Sequence, residues 1–421
     1  MSRKLTLLAL AGMAAHSSGA SAADIFSFNA YGTIGVVHSS EDQADFVGTV
    51  FQPNGAGYTR SWDFGPDSKL AGQVQAKFDD KFSAILQVVS QHQYDSTYTP
   101  QVEWANIKYA ITSDLDIRAG RIVLPVFLYS ESRNVGYSNP WLRAPLEIYT
   151  LNSITSNDGG DVTYRFKLGR TSNTAQAFYG RSKAKLPGGA KITAKPNWGF
   201  NDTLTVNDLT LRVGYVSQTT DLETNSLDPI FSGLTALGNS LNTFGFQPAG
   251  AQALALVQKY SLDGISIKDY TAGISYDPGK WFVIAEGALT KGEGFLSDSK
   301  SWYVTGGYRV EKFTPYLTYA STKPDIDTES GISTTGLPGG LAAGATQLNA
   351  GINSTLTAFA ASQTTASLGV RWDFIASAAL KVQYDRIDLG ANSGGRFTNQ
   401  QPGFQTGGSA DLISVAVDFV F

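Results

Sequence analysis

The chain has 421 residues, with 32 Lys or Arg against 36 Asp or Glu, so its formal net charge is −4 at pH 7. This acidic balance argues against a nucleic-acid partner, which a basic surface would hold. The absence of cysteine excludes disulfide bonds and thiol chemistry.

The first 22 residues have the pattern of a secretory signal peptide. Arg3 and Lys4 precede an apolar stretch over residues 5–15, and the small residues Ala20–Ala22 fit a cleavage site. We therefore predict a signal peptide over residues 1–22 and a mature chain, residues 23–421, that works outside the cytoplasm. Removing the two basic residues leaves 30 against 36 acidic ones, a mature net charge of 30 − 36 = −6.

Apolar and polar residues alternate in many short segments from Phe26 onwards. In one of them Val162, Tyr164 and Phe166 alternate with Thr163, Arg165 and Lys167. Such a period of two predicts strands with one apolar and one polar face. No apolar run after the signal peptide approaches the roughly 18 residues of a membrane helix, so a place in a membrane would require a closed barrel.

Aromatic residues near the ends of the apolar faces separate this barrel from a soluble β-sandwich, the alternative architecture. They suit the two girdles of a transmembrane barrel and include Tyr109, Tyr164, Tyr215, Tyr276, Trp281, Tyr308 and Trp372. Tight turns such as 79–81 and 277–280 alternate with long segments at 41–66, 122–160, 218–267, 322–362 and 389–409. We predict an all-β antiparallel transmembrane barrel of about 16 strands, an even number.

Three segments between these elements need separate treatment. A strand over about 190–200 is required by parity, although Pro196 argues against a regular strand there. Residues 249–259 are rich in alanine and leucine and predict a short helix within a loop. Residues 331–360 are rich in Gly, Ala, Ser and Thr and predict a flexible loop.

The second of these long segments, 122–160, is the candidate for narrowing the pore. It is rich in proline and aromatic residues, which predicts a packed loop folded against the barrel wall. Charges on this loop would face basic residues on the adjoining strands and create a transverse field that favours polar solutes. The candidate constriction residues are Arg118, Arg165, Lys167 and Arg212 on the wall, and Glu131, Arg133, Arg143, Glu147 and Asp158 on the loop.

The last strand ends the chain on an aromatic residue. Its odd positions from 413 are apolar, ending in Val417, Phe419 and Phe421. A greasy edge strand is a liability that closing a barrel removes. These three residues resemble the assembly signal of Gram-negative outer-membrane proteins.

The segment Arg118–Ile122, followed by Glu131–Tyr137 and Asn139-Pro140-Trp141, resembles the Gram-negative porin family. The resemblance covers essentially the whole mature chain. It implies a homotrimer of 16-stranded barrels in the bacterial outer membrane, with the third external loop in the lumen. It also implies outer-membrane lipid and lipopolysaccharide as partners, and passive diffusion of small hydrophilic solutes and ions as the function.

The resemblance further implies that Arg121 lines the constriction. The alternation of the strand instead places Arg121 on the lipid side, and a bulge at Gly120 would reconcile the two. An arginine that extends its head group to the membrane interface is the alternative.

Catalysis is not predicted. His38 and His92 are the only histidines after the signal peptide, and His92 has no evident Ser or Asp companion. We predict no cofactor and no metal. Two alternatives to a general pore stay open: a substrate-specific channel for small carboxylates or sugars, and a plugged structural or adhesive barrel.

Overall fold

The computed structural model describes residues 25–325 and 328–421; the predicted signal peptide lies outside this part of the chain. Sixteen long strands, with the two-residue strand Trp62–Asp63, form one antiparallel sheet. The long strands are β1 Phe26–Ser39, β2 Lys69–Lys77, β3 Phe82–Gln91, β4 Gln101–Ala110, β5 Leu115–Val123, β6 Ser156–Leu168, β7 Thr171–Lys185, β8 Lys191–Val206, β9 Leu209–Glu223, β10 Ile265–Tyr276, β11 Trp281–Gly292, β12 Ser299–Tyr308, β13 Phe313–Pro324, β14 Gln363–Ile375, β15 Ala378–Leu389 and β16 Ser409–Val420.

The sheet closes on itself through β1. This strand pairs with β2 along one edge and with β16 along the other, where Tyr31 lies opposite Val420. The terminal Phe421 adds two backbone hydrogen bonds to Ala30, at 2.7 and 3.0 Å. The predicted barrel is therefore confirmed, and closure leaves none of its sixteen long strands with an unpaired edge.

The two faces of the strands follow the predicted alternation. In β16, Leu412, Ser414, Ala416 and Asp418 point inward and are buried, whereas Ile413 is exposed on the outer face. Outward aromatic rings pack side by side between strands, as in Tyr215–Tyr270 and Tyr276–Trp281, or Phe313–Trp372 and Trp198–Tyr215. An apolar outer band bounded by aromatic rings is how a closed barrel faces lipid.

The eighth strand, the least certain one in the sequence, is present as β8. Its pairing with β9 runs to Ala194, shifts register, and resumes at Asn197. Pro196 therefore sits in a bulge, outside the ladder, where its missing N–H costs no hydrogen bond.

The two ends of the barrel differ in their connections. Short turns join the strands at the end that carries Phe26 and Phe421, which we call the turn end. Long connections lie at the opposite loop end, including residues 40–68, 124–155, 224–264 and 390–408. Among the described residues the α-helices all lie in connections at this end: α1 Leu146–Tyr149, α2 Asp228–Thr243, α3 Gln247–Lys259 and, between β13 and β14, α4 Gly339–Phe359.

Helices α2, α3 and α4 pack on one another as a helical cap at the loop end. Their shared core includes Leu234, Leu241, Ala253 and Ile352, each with no exposed surface. The predicted helix over 249–259 is confirmed within α3. The prediction of a flexible loop over 331–360 is wrong. Most of this segment forms α4, because its alanines and spaced aliphatic residues bury one helical face against α2. None of the described helices is long and apolar enough to cross a membrane.

Glu329 joins the segment before α4 to the end of α3 in the helical cap, and we expect this contact to depend on pH. Its carboxylate accepts hydrogen bonds from Lys259 at 2.5 Å and from the Tyr260 hydroxyl at 2.8 Å. Burial alone would raise the pKa of Glu329, but these hydrogen bonds outweigh it and lower the pKa from 4.5 to about 2. A lowered folded-state pKa stabilises the cap above pH 4.5, and this stabilisation is lost as the pH falls towards 2.

Hydrogen exchange of residues 328–337 measures this prediction. Exchange should accelerate as the pH falls below 4.5, after correction for the intrinsic rate, and E329Q should show the fast exchange already at pH 7. The matched control E311Q changes an exposed glutamate at the turn end and should leave the cap unchanged. Wild-type exchange in E329Q would contradict the role of this carboxylate.

Candidate functional site: a lumen narrowed by an inserted loop

Residues 124–155, the connection between β5 and β6, fold into the barrel and form what we call the lumen loop. Its large side chains are buried: Phe127, Trp141 and Tyr149 are at most 2% exposed. The Trp141 ring meets Tyr303 of β12 edge-on, with ring centroids 5.7 Å apart. The predicted packed loop inside the lumen is therefore confirmed, and its aromatic residues form a core with the barrel wall.

A buried ion pair fixes the middle of the lumen loop. Lys381 of β15 and Asp418 of β16 lie 2.8 Å apart, and neither side chain has exposed surface. The Lys381 ammonium also donates to three loop carbonyls, those of Gly136, Asn139 and Trp141, at 2.8–2.9 Å. The lysine thus uses its hydrogen-bonding capacity to hold the loop against the wall.

Three loop residues predicted to line the constriction are instead bound into the packing. Arg143 pairs with Asp67 at 2.6 Å and Asp385 at 3.5 Å, and its guanidinium lies over the Phe46 ring. Glu147 accepts hydrogen bonds from two side chains of β14, and Arg133 donates to two carbonyls of its own loop.

The physical reason is that Trp141 and Tyr149 pack against the barrel wall, so the charged residues next to them in the loop are buried there too. Buried charges then require partners. Glu147 is wholly enclosed, at 2% exposure, so its predicted role in lining the pore is corrected to anchoring the loop. Arg133 and Arg143 anchor the loop and also border a cavity of 110 Å³ on its loop-end side.

Three of the four wall bases predicted to line the constriction border one cavity, and their role in narrowing the pore stays a prediction. Arg118 of β5, Arg165 of β6 and Arg212 of β9 line a cavity of 540 Å³ between the wall and the lumen loop, together with Lys108 of β4. We call this space the wall cavity. Glu131 borders it from the loop side, 3.8 Å from Arg118. The predicted arrangement of a loop acid facing wall bases is present in this one pair.

Two acidic residues that were not among the predicted constriction residues form ion pairs with the wall bases. Asp116 pairs with Arg165 at 2.5 Å and Lys108 at 3.3 Å, and Asp161 pairs with Arg118 at 2.5 Å. The alternation of β4 and β5 puts Lys108 and Asp116 on the polar face, but their pairing depends on the register of β4, β5 and β6.

Arg212 differs from the other wall bases, because within the described residues no carboxylate lies within 4 Å of it. It donates to the Pro125 carbonyl at 2.7 Å and to the Thr203 hydroxyl at 3.0 Å. The alternation of β6 directs Lys167 inward as well, two residues beyond Arg165. Lys167 lies outside the wall cavity, exposed near the turn end. Arg212 and Lys167 are thus lumen charges without a carboxylate partner among the described residues.

Arg121 and Asp158 form an ion pair on the outer face, so the structure does not place them at the constriction. Their side chains lie 2.6 Å apart on β5 and β6. Pairing of these strands runs from Leu115 to Val123 without a register shift, although Gly120 has a φ of +125°. The bulge that would turn Arg121 inward is absent there, and the orientation expected from alternation is correct.

The residues of the resembled assembly signal lie where β16 closes the barrel. Phe421 is 78% exposed, and its ring centroid is 5.7 Å from that of Phe419. Val417 lies opposite Ile34 of β1. Their role in assembly remains a prediction.

Comparison of the structure with solved proteins identifies the fold. An anion-selective porin from Comamonas acidovorans matches with a TM-score of 0.53 and 12% identity, over 94% of this chain and 100% of that one. OmpF of Salmonella typhi, in complex with daunomycin, matches with a TM-score of 0.52 and 13% identity, over 94% and 97%. The outer-membrane channel DcaP of Acinetobacter baumannii gives 0.52 and 12%, over 94% and 98%.

Neither a protein-family model nor a curated protein matches the sequence. At 12–13% identity the likeness establishes the fold, which is that of outer-membrane porins and channels. The predicted porin-type barrel is thus confirmed for the residues that the structure describes.

Proposed function

We propose that the chain forms a water-filled channel in a bacterial outer membrane, through which small hydrophilic solutes and ions diffuse passively. The observation that carries the proposal is the wall cavity, a 540 Å³ space lined by charged side chains beside a loop that fills much of the remaining lumen. Such a lining is wet and charged, which suits polar solutes. The leader over residues 1–22 would direct export, and no catalytic residue is assigned.

The packing of the lumen loop indicates that solutes cross the barrel along one side of this loop. The aromatic core and the Lys381 anchor join the loop to strands from β7 round to β16. Towards β5, Glu131 and Arg118 approach only to 3.8 Å, and Glu131 is 65% exposed. Solutes would therefore pass through the wall cavity, between Ser130–Ser132 of the loop and the wall formed by β4 to β9.

Assembly as a homotrimer is part of the proposal and rests on the resemblance to porins. Trimeric porins conduct through three separate lumens, so three equal current steps would appear together. The outer faces of β16 and the first strands are apolar, with Phe28, Ile34 and Leu70 exposed on the single chain. An exposed apolar face of this kind suits either lipid or a second copy.

Single-channel recording tests the function directly. The refolded mature chain, checked for a folded barrel by heat-dependent gel migration, should give discrete conductance steps in a planar bilayer. Proteoliposomes should admit neutral sugars and small carboxylates at rates that fall smoothly with size. Steps in triplets would support the trimer.

Two outcomes would contradict a general channel. A folded barrel without conductance favours the plugged structural or adhesive alternative. Flux that saturates for one solute class and excludes others of the same size favours a substrate-specific channel.

A further inference from the structure

Two neighbouring segments at the loop end are almost free of charge. Residues 330–370, which include α4, form a stretch of 41 residues without Asp, Glu, Lys or Arg. The connection between β15 and β16, residues 390–408, contains Arg396 as its single charged residue. These four residue types make up 16% of the whole chain. The two segments therefore form a neutral region within a charged protein.

The C-terminal half of α4 and the connection 390–408 enclose a groove of 480 Å³, which we call the neutral groove. No ionisable side chain is among the described residues that line it. Amide and hydroxyl side chains dominate its lining: Asn353, Ser354 and Thr357 from α4, and Asn392, Gln400 and Thr406 from the connection. The volume lies within the roughly 300–1,000 Å³ of most small-molecule sites.

Hydrogen bonds around Ser393 fix the two sides of the groove to each other. Its buried hydroxyl donates to the Ala360 carbonyl at 3.1 Å and accepts from the backbone amides of Ser362 and Gly395, at 2.9 and 3.0 Å. The Gly390 amide adds a hydrogen bond to the Ser362 carbonyl at 2.8 Å. The groove is thus preformed, and a ligand would not have to order it on binding.

The connection 390–408 is also packed from below by its aromatic residues. The buried Phe397 ring lies 6.2 Å from the rings of both Phe46 and Phe404. This packing uses the large apolar residues of the connection and leaves its polar ones at the surface. The residues of the connection that are exposed in the groove are Asn392, Gln400 and Thr406.

Several polar groups of the groove retain their hydrogen-bonding capacity. The side chains of Ser354, Asn392 and Thr406 are exposed and make no hydrogen bond to any part of the chain that the structure describes. Gln400 donates to the Phe397 carbonyl at 3.0 Å through its side-chain nitrogen, which leaves its side-chain oxygen available. The groove therefore offers both donors and acceptors to a ligand.

The chemistry of the lining selects among classes of ligand. An ion would lose hydration in the groove without meeting an opposite charge, which is costly. A protein partner would be expected to meet an apolar and aromatic centre, but Ala358 is the one exposed apolar side chain among the described lining residues. An uncharged carbohydrate carries many hydroxyl groups that both donate and accept, and it matches the neutral polar lining.

We propose that the neutral groove binds an uncharged oligosaccharide at the loop end. The hydroxyls of Ser354 and Thr406 and the amide of Asn392 would bond to sugar hydroxyls, while Ala358 contacts the C–H groups of a sugar ring. The inference goes beyond the proposed channel, because the groove is formed by residues beyond the ends of the strands. It does not depend on ions crossing the barrel.

A glycan array followed by titration calorimetry tests the proposal. The folded protein, kept in a detergent without sugar head groups, is applied to immobilised neutral oligosaccharides of two to four units and to their sulfated counterparts. We expect the protein to bind members of the neutral set and to bind the sulfated counterparts of those members more weakly, because the groove offers no cation. Calorimetry then gives the dissociation constant of the neutral glycan that is retained best.

Two variants with a matched control connect this binding to the groove. A358W places a large ring in the groove from an exposed position of α4 and should abolish binding, whereas A343W makes the same change at an exposed position of α4 outside the groove and should bind like the wild type. S354A/N392G/T406A should bind at least about tenfold more weakly, since each neutral hydrogen bond contributes about fivefold. Glycine replaces Asn392 because the φ of this residue is +61°.

Three outcomes would overturn the proposal: no neutral glycan is retained, A358W and the wild type bind equally, or the sulfated glycans bind as tightly as the neutral ones. Heat-dependent gel migration checks that each variant is a folded barrel. Single-channel recording separates this site from the channel. A protein that binds the glycan without conducting would contradict the channel and leave the site standing, and one that conducts without binding any neutral glycan would do the reverse.

Discussion

Replacing Lys381 with methionine is expected to lower the free energy of unfolding by about 3–5 kcal/mol, the usual cost of removing one partner from a buried ion pair. Asp418 would remain without exposed surface, with the Thr33 hydroxyl as a hydrogen-bond donor at 2.5 Å. Three loop carbonyls would also lose their donor. Because the same ammonium fixes the lumen loop, the open channel should become noisier and its mean conductance should rise.

The double variant K381M/D418N separates charge from packing. It removes the unpaired carboxylate and should recover a substantial part of the lost stability. Denaturant unfolding in lipid vesicles gives the stability, and single-channel recording gives the noise of the current. Wild-type values for K381M in both measurements would contradict the assigned anchor.

The barrel could be predicted from the sequence because its information is local. Alternation identifies the inward and outward side of each residue, and it placed Arg121 correctly on the outer face against the role implied by the resemblance. Pro196 argued against a regular strand, and the strand is indeed irregular there, because Pro196 lies in a bulge. Composition failed for α4, because Gly- and Thr-rich sequence hides the spacing by which Ala345, Ile352 and Leu356 bury one face.

The details of the lumen could not be predicted in the same way. Alternation puts Lys381 on the polar face of its strand, but its contacts with the loop span more than 240 residues of sequence. Nothing in the sequence distinguishes the surroundings of Arg143 and Glu147 from those of Glu131, because all three are charged residues of the same loop. Only the packing of Trp141 and Tyr149 determines that the first two meet wall residues while Glu131 stays exposed.

The double variant R165Q/R212Q is expected to reverse the ion preference of the channel. Four basic residues line the wall cavity, and three acidic residues lie on or beside it, which gives a net charge of 4 − 3 = +1. The two substitutions remove two of the bases and change the net charge to 2 − 3 = −1. The bases are Lys108, Arg118, Arg165 and Arg212, and the acids are Asp116, Asp161 and Glu131. Since rings of charge in a pore set its ion preference, the wild type should favour anions and the variant cations.

The reversal potential under a potassium chloride gradient measures this change. The salt should stay at or below about 0.1 M, where the screening length of roughly 10 Å still spans the cavity. The control R181Q/K183Q removes two positive charges from the outer face of the barrel and should keep the wild-type reversal potential. If both double variants give the wild-type value, ions do not pass the wall cavity. The path would then lie elsewhere in the lumen, and the charge of Arg212, which lacks a carboxylate partner among the described residues, would not act on permeating ions.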